Sequence, residues 1–168
     1  MNRNMNEQPV YVILGATGGI GSELSRQLAA KGAHLMLGAQ DKEKLENLVR
    51  ELGGNHISLD ATRTQEVESC VQETVETYGR IDLSAMYVGS VMLKPVLFTS
   101  DDEWASTLAV NLTSAFATVK AAARAMRREG GSVVLTSSAA ARVGIANHEA
   151  IAAAKGGIIG LVLSAATT

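Results

Sequence analysis

The stretch GATGGIG, Gly15 to Gly21, limits what this chain can fold into more than any other. It is preceded by VYVIL, Val10 to Leu14, a continuous apolar run that reads as a strand buried on both faces. It is followed by SELSRQLAAKG, in which Leu24 and Leu28 share one helical face and Gly32 is a stop signal. Between a buried strand and a helix, glycines allow a tight turn and let backbone approach a pyrophosphate. The new helix offers its free N–H groups and positive end to that anion. The competing reading is a plain chain reversal. On the nucleotide reading, Gly15, Thr17, Gly18, Gly19, Ile20 and Gly21 form the cradle.

The rest of the chain repeats this alternation. AHLMLGA is a second short strand, and DKEKLENLVRELGG an amphipathic helix with Asp41 as its N-cap. HISLD is a third strand, followed by a helix over about 64–78, and IDLSAMYVG a fourth. A long helix is expected from about Asp101 to Arg128, then a fifth strand in GSVVLTSS and a last, alanine-rich helix from Glu149 onward. Such alternation predicts an α/β fold: a Rossmann-type, doubly wound parallel sheet in a three-layer α/β/α sandwich. Ligands of such sheets lie beyond the carboxyl ends of the strands, where strand order reverses. The turn after Leu14, the strand end near Gly89 and the strand end near Ser138 are therefore singled out in advance.

The 168 residues are read as a single dinucleotide-binding domain, 1–168, with no linker or low-complexity segment. A net charge of −2 with scattered Lys and Arg argues against nucleic acid or an anionic membrane as partner. One cysteine, Cys70, cannot form an internal disulfide, which fits a reducing compartment. The polar opening MNRNMNEQ lacks the apolar run of a signal peptide, and no run of eighteen apolar residues occurs. The expected location is the cytoplasm. No metal ligands are assigned.

These motifs together resemble the short-chain dehydrogenase/reductase family, from about Val10 to the end. The family's glycine motif is Thr-Gly-x3-Gly-x-Gly; here the three glycines match and Leu14 replaces the threonine. Asp60, with Ala61 beside it, matches the acid that hydrogen-bonds the adenine amino group. RID, Arg80 to Asp82, resembles the family's lead into the fourth strand. That strand's Asn-Asn-Ala-Gly end reads Met86, Tyr87, Val88, Gly89, so only the glycine matches. Asn111 in VNL, Ser138 in TSSAA and Lys155 match the active-site asparagine, serine and lysine. Ile151 stands where the tyrosine would be.

What the resemblance implies is hydride transfer between a nicotinamide and a carbonyl or alcohol carbon. In the family the tyrosine moves the proton, the lysine lowers its pKa and holds the ribose, the serine holds the substrate oxygen, and the asparagine anchors a water. Ile151 has no titratable group, and acid–base help is worth about 10²–10⁴ in rate, so the family mechanism cannot operate unchanged. If Asn147 caps the last helix, His148 falls on one stripe with Ile151 and Lys155, leaning toward the same cleft as a proton shuttle. The other reading of His148 is a polar residue in the preceding loop. Tyr87 is a second candidate donor, or a packing residue of the pocket wall.

At the ribose 2′ position the sequence offers Ala39 and Gln40, where arginine would favour NADP; the lean between NAD and NADP is slightly to NAD. Family members ordinarily continue past the last helix with a substrate-covering segment. Either these residues cover only part of the protein or it is truncated, and truncation would leave the fifth strand's edge needing a partner. The long helix (about 101–128) and the last helix (about 149–168) carry small residues suited to close contact, so a homodimer or homotetramer is expected. The function read from all this is an NAD(P)-dependent oxidoreductase with an altered proton donor, acting on a small-molecule carbonyl or alcohol. The alternative is a catalytically silent nucleotide-binding subunit of the same fold.

Overall fold

A five-stranded parallel sheet in the order β3-β2-β1-β4-β5 forms the centre of the structure, a computed structural model that describes residues 8–167. The polar opening read for the absence of a leader falls almost wholly in residues 1–7, which lie outside the described residues, as does Thr168. β1 (Val10–Leu14) pairs with β2 (His34–Ala39) on one side and β4 (Leu83–Met86) on the other. β3 (Asn55–Ser58) lies outside β2, and β5 (Ser132–Leu135) outside β4. The chain thus steps outward from β1 to β3 and then returns to the far side of β1. Strand order reverses between β1 and β4, where the rule for open sheets puts a ligand.

Both faces of β1 are buried, which is why its sequence is apolar without alternation. Ile13 joins Leu35, Leu37 and Ala85 beneath α1 (Gly19–Ala30) and α2 (Lys42–Leu52), which contribute Leu24, Leu28, Leu45 and Leu48. Val12, Leu14, Met36 and Met86 point the other way. They pack on α3 (Thr64–Tyr78), on the long helix and on α6 (Glu149–Ala165) through Val67, Val71, Ala115, Ala121 and Ile158. Fully burying each large apolar side chain contributes about 1.5–3 kcal/mol. The result is the three-layer Rossmann-like sandwich expected from the sequence. Asp41 caps α2 as expected, accepting from the Lys44 amide at 3.0 Å.

Two local expectations are corrected. The long helix is not an uninterrupted α-helix reaching Arg128. It consists of α4 (Asp101–Leu108), a π turn over Ala109–Thr113, and α5 (Ser114–Ala125). The π turn takes in one extra residue, and the end comes early because Gly130 at φ 73° turns the chain toward β5. Asn147 is not the cap of α6: it adopts a left-handed φ of 62°, and His148 occupies the N-cap position without a capping side-chain bond. The Asn147 carbonyl instead accepts the Lys94 amide at 2.9 Å, tying the loop after β4 to the loop before α6. No helix among the described residues is long and apolar enough to cross a membrane.

Candidate active site

At the strand reversal lies a cavity of about 300 Å³, bounded by the carboxyl ends of β1, β2, β3 and β4. Of the residues expected to hold a nucleotide, Gly15, Thr17, Gly18, Gln40, Asp60, Ala61, Val88 and Gly89 line it. Gly19 and Gly21 open α1 beside it, and Ile20 is exposed. The glycines are not interchangeable. Gly15 has φ +79°, and a side chain there would meet the Tyr87 backbone at 2.7 Å; one on Gly21 would meet the Gly15 carbonyl oxygen at 2.3 Å. These two let strand, turn and helix fit together. At Gly19 an added methyl would meet nothing within 4 Å, so the space there is open to a ligand. A dinucleotide's pyrophosphate fits such a cradle at a helix N-terminus.

At the β3 side, Asp60 accepts from the Thr62 hydroxyl at 2.7 Å and the Thr62 amide at 2.9 Å. The hydroxyl bond first, then the amide, holds its carboxyl below the usual range, so it stands as an ionised hydrogen-bond acceptor. Thr62 was not singled out in the sequence; an Asp followed two places on by Thr is a local turn signal that could have found it. Asp41, by contrast, is occupied by Lys44 through both its cap and a 2.9 Å ion pair. That leaves Ala39 and Gln40 as the neutral wall at the end of β2.

At the other end, three elements converge on Gly89. The Cβ that residue 89 lacks would stand 3.1 Å from Asn111 Oδ1 and 3.6 Å from Lys155 Nζ. Asn111, fully buried, sits in the π turn, a distortion common at functional sites. Its Oδ1 accepts the Ser90 amide at 3.2 Å, and its Nδ2 donates to the Ser90 hydroxyl at 3.1 Å and the Thr107 carbonyl at 3.0 Å. The Lys155 ammonium donates to the Thr136 carbonyl at 3.0 Å, while the Ser137 hydroxyl donates to the Lys155 carbonyl at 2.8 Å. Burial pulls the Lys155 pKa down. Ser138, three residues beyond β5, is exposed, its Oγ accepting the Ala140 amide at 3.2 Å. Ile151 is buried. His148 turns its Nδ1 back onto the Ala146 carbonyl at 2.7 Å. Ser90, Thr136 and Ser137 were missed in the sequence, because their bonds join residues far apart in the chain and mostly involve a backbone atom, which leaves no signature there.

A larger groove of about 750 Å³ runs between α3 and α5, but it lies on the helix surface, away from every strand end. The cavity at the reversal is the candidate site. Fold and cavity together define an α/β domain of the doubly wound, Rossmann-like class. Residues 9–168 match the family model described as short chain dehydrogenase. The chain is 34% identical over 176 residues to the short-chain dehydrogenase/reductase aba4 of Botryotinia fuckeliana, covering 96% of this chain and 68% of that protein. It superposes on a short chain dehydrogenase from Mycobacterium smegmatis with a TM-score of 0.91 at 29% identity, covering 96% of this chain and 70% of that one. An alcohol dehydrogenase from the archaeon Thermococcus sibiricus, complexed with 5-hydroxy-NADP, gives a TM-score of 0.87 at 29% identity, with 94% and 70% covered. The chain belongs to the short-chain dehydrogenase family of oxidoreductases.

Proposed function

We propose that the chain is an NAD(P)-dependent oxidoreductase that interconverts a small-molecule carbonyl and alcohol, with a proton donor other than residue 151. The observation that carries this reading is the meeting of Asn111 and Lys155 at Gly89, at the end of a cavity whose other end is the glycine turn and Asp60. Gly15 to Gly21 would hold the pyrophosphate, Asp60 the adenine amine, Lys155 the nicotinamide ribose and Ser138 the substrate oxygen. A nicotinamide, when bound, supplies or accepts the hydride. The chain's own residues bind, orient and manage the proton. Gln40 can hydrogen-bond a ribose hydroxyl but cannot neutralise a phosphate, and Asp41 is committed to its cap, which supports a slight preference for NAD.

The second reading, a silent nucleotide-binding subunit, is favoured by one observation: residue 151 is a buried isoleucine. We take the chain as one dinucleotide-binding domain that self-associates through α5 and α6 and resides in the cytoplasm, where a buried free thiol such as Cys70 is at home. Titrating NADH and NADPH while following nicotinamide fluorescence, with turnover of a carbonyl panel alongside, tests these readings. Uptake with turnover supports the enzyme, and uptake without turnover the silent subunit. No uptake at millimolar dinucleotide ends both.

A further inference from the structure

Resting on the oxidoreductase reading, we infer that Lys155 is itself the proton donor of this site, because its ammonium lies beside Gly89 next to the buried, proton-free Ile151. Position removes the other titratable groups one by one. Asp60 and Asp41 are carboxylates held below their ordinary pKa, Asp60 by Thr62 and Asp41 by Lys44, and both stand at the adenosine end. Tyr87 also lines the cavity, but it packs with the α1 and α2 layer, across the sheet from α6. His148 sets its Nδ1 against the Ala146 carbonyl of its own loop and is not among the residues that line the cavity. Lys155 remains, buried to 8% exposure. Among the described residues its Nζ donates one hydrogen bond, to the Thr136 carbonyl, and the same Nζ stands 3.6 Å from where a Cβ on residue 89 would lie.

The surroundings make that ammonium a better acid than an ordinary lysine. Ile151 lies one turn before it, and no carboxylate among the described residues pairs with it. Of the charged groups on elements packed against α6, Glu103 on α4 is held by Lys94, while Lys120 and Arg124 on α5 are held by Glu68. Asp101, Asp102 and Glu149 are exposed at helix starts. Burial is the sole cause of the lowered Lys155 pKa.

The step balances without a tyrosine. The carbonyl carbon gains a hydride from the reduced nicotinamide, the C=O π pair moves to oxygen, and that oxygen takes a proton from the Lys155 ammonium. Carbon is reduced, the nicotinamide is oxidised, and Lys155 is left as a neutral amine that regains its proton from water. In the reverse direction the neutral amine accepts the proton of the alcohol. Reduction therefore requires charged Lys155 and declines as pH rises through its pKa, starting below the ordinary lysine range.

The test compares wild type, Lys155→Arg and His148→Ala with phenanthrenequinone as carbonyl probe. It adds a readout independent of turnover: the pH titration of the Lys155 amine by carbon NMR of reductively methylated protein, assigned by the signal missing from Lys155→Arg. Arginine keeps the charge but cannot release a proton. We expect turnover to fall about a hundredfold or more in Lys155→Arg and to stay near wild type in His148→Ala. The amine should titrate below about 10.4. Wild-type turnover by Lys155→Arg, loss of turnover in His148→Ala, or titration at or above the ordinary value overturns the inference. Dinucleotide uptake by wild type with no reduction of the probe also overturns it, while leaving nucleotide binding intact. Failure of wild type to take up dinucleotide defeats the underlying functional reading instead.

Discussion

A methyl group added at Gly21 would sit 2.3 Å from the Gly15 carbonyl oxygen; the same group at Gly19 would meet nothing within 4 Å. That contrast separates the two jobs glycine does in one turn. Gly21→Ala must push backbone against backbone, an overpacking worth about 1–3 kcal/mol, so its melting temperature and its dinucleotide affinity should fall together. Gly19→Ala meets no such obstacle and gains helix propensity, so its melting temperature should hold or rise slightly. If a diphosphate occupies that space, its affinity should nonetheless fall, since the methyl stands where backbone and anion meet. Calorimetric titration of both variants with NADH, beside thermal melts, checks this. Unchanged affinity in Gly19→Ala would mean the open space is not the phosphate seat. The same reasoning explains Gly89, where a side chain would press on Asn111 Oδ1.

The elements that frame the mouth of the cavity are joined by the loop between β4 and α4. Ser90 is held by Asn111 of the π turn, and the Lys94 amide by the carbonyl of Asn147 before α6. The Lys94 ammonium reaches both Glu103 oxygens at 2.8 Å. Glu103 also accepts the Ser100 amide, completing the capping box that starts α4. These bonds, Lys94 first, bring the Glu103 pKa down to about 2. A carboxyl whose folded pKa is depressed stabilises fully above its unfolded value of about 4.3, and that contribution is lost as pH falls toward about 2. The Lys94 and Ser100 amide resonances should therefore move between those pH values. Glu103→Gln should show faster exchange at both amides at neutral pH with little change in the global melt; unaltered exchange would show that the ion pair does not tie the loop. Little of this was legible in the sequence. Apolar runs located all five strands, and the helix over 64–78 was bounded correctly, because burial and end signals there are local. The π turn was not visible, since one extra residue leaves the apolar spacing of Trp104, Leu108, Leu112 and Ala115 intact. Glycines, Asp60, Asn111 and Lys155 were found by type and spacing, whereas Ser90, Asn147 and Thr136 act through backbone atoms or long-range pairs that no spacing encodes.

At the scale of the whole molecule, one helical layer carries apolar surface that the sheet does not use. α6 packs against the π turn and α5, so closely at the π turn that a side chain at Gly157 would meet Leu112 at 2.7 Å. Their inner faces are buried, yet Phe116 on α5 is 49% exposed, and Val162 and Leu163 on α6 are 43% and 68% exposed. Phe116 and Leu163 stand among alanines and glycines, which let a partner's backbone approach closely. A second copy presenting the same two helices about a two-fold axis would cover both sets at once, since a two-fold interface needs only a self-complementary patch. A charge at the centre of that patch would then face its own symmetry mate. Phe116→Arg should convert the assembly to monomer in light scattering at tens of micromolar. Far-ultraviolet dichroism and NADH affinity should stay near wild type, because the side chain is exposed and does not line the cavity. Wild type running as a monomer at that concentration would remove the pairing, and an unchanged mass in Phe116→Arg would move it to another face, of which the edge of β5, with Val133 and Val134 exposed at 37% and 42%, is the next to test.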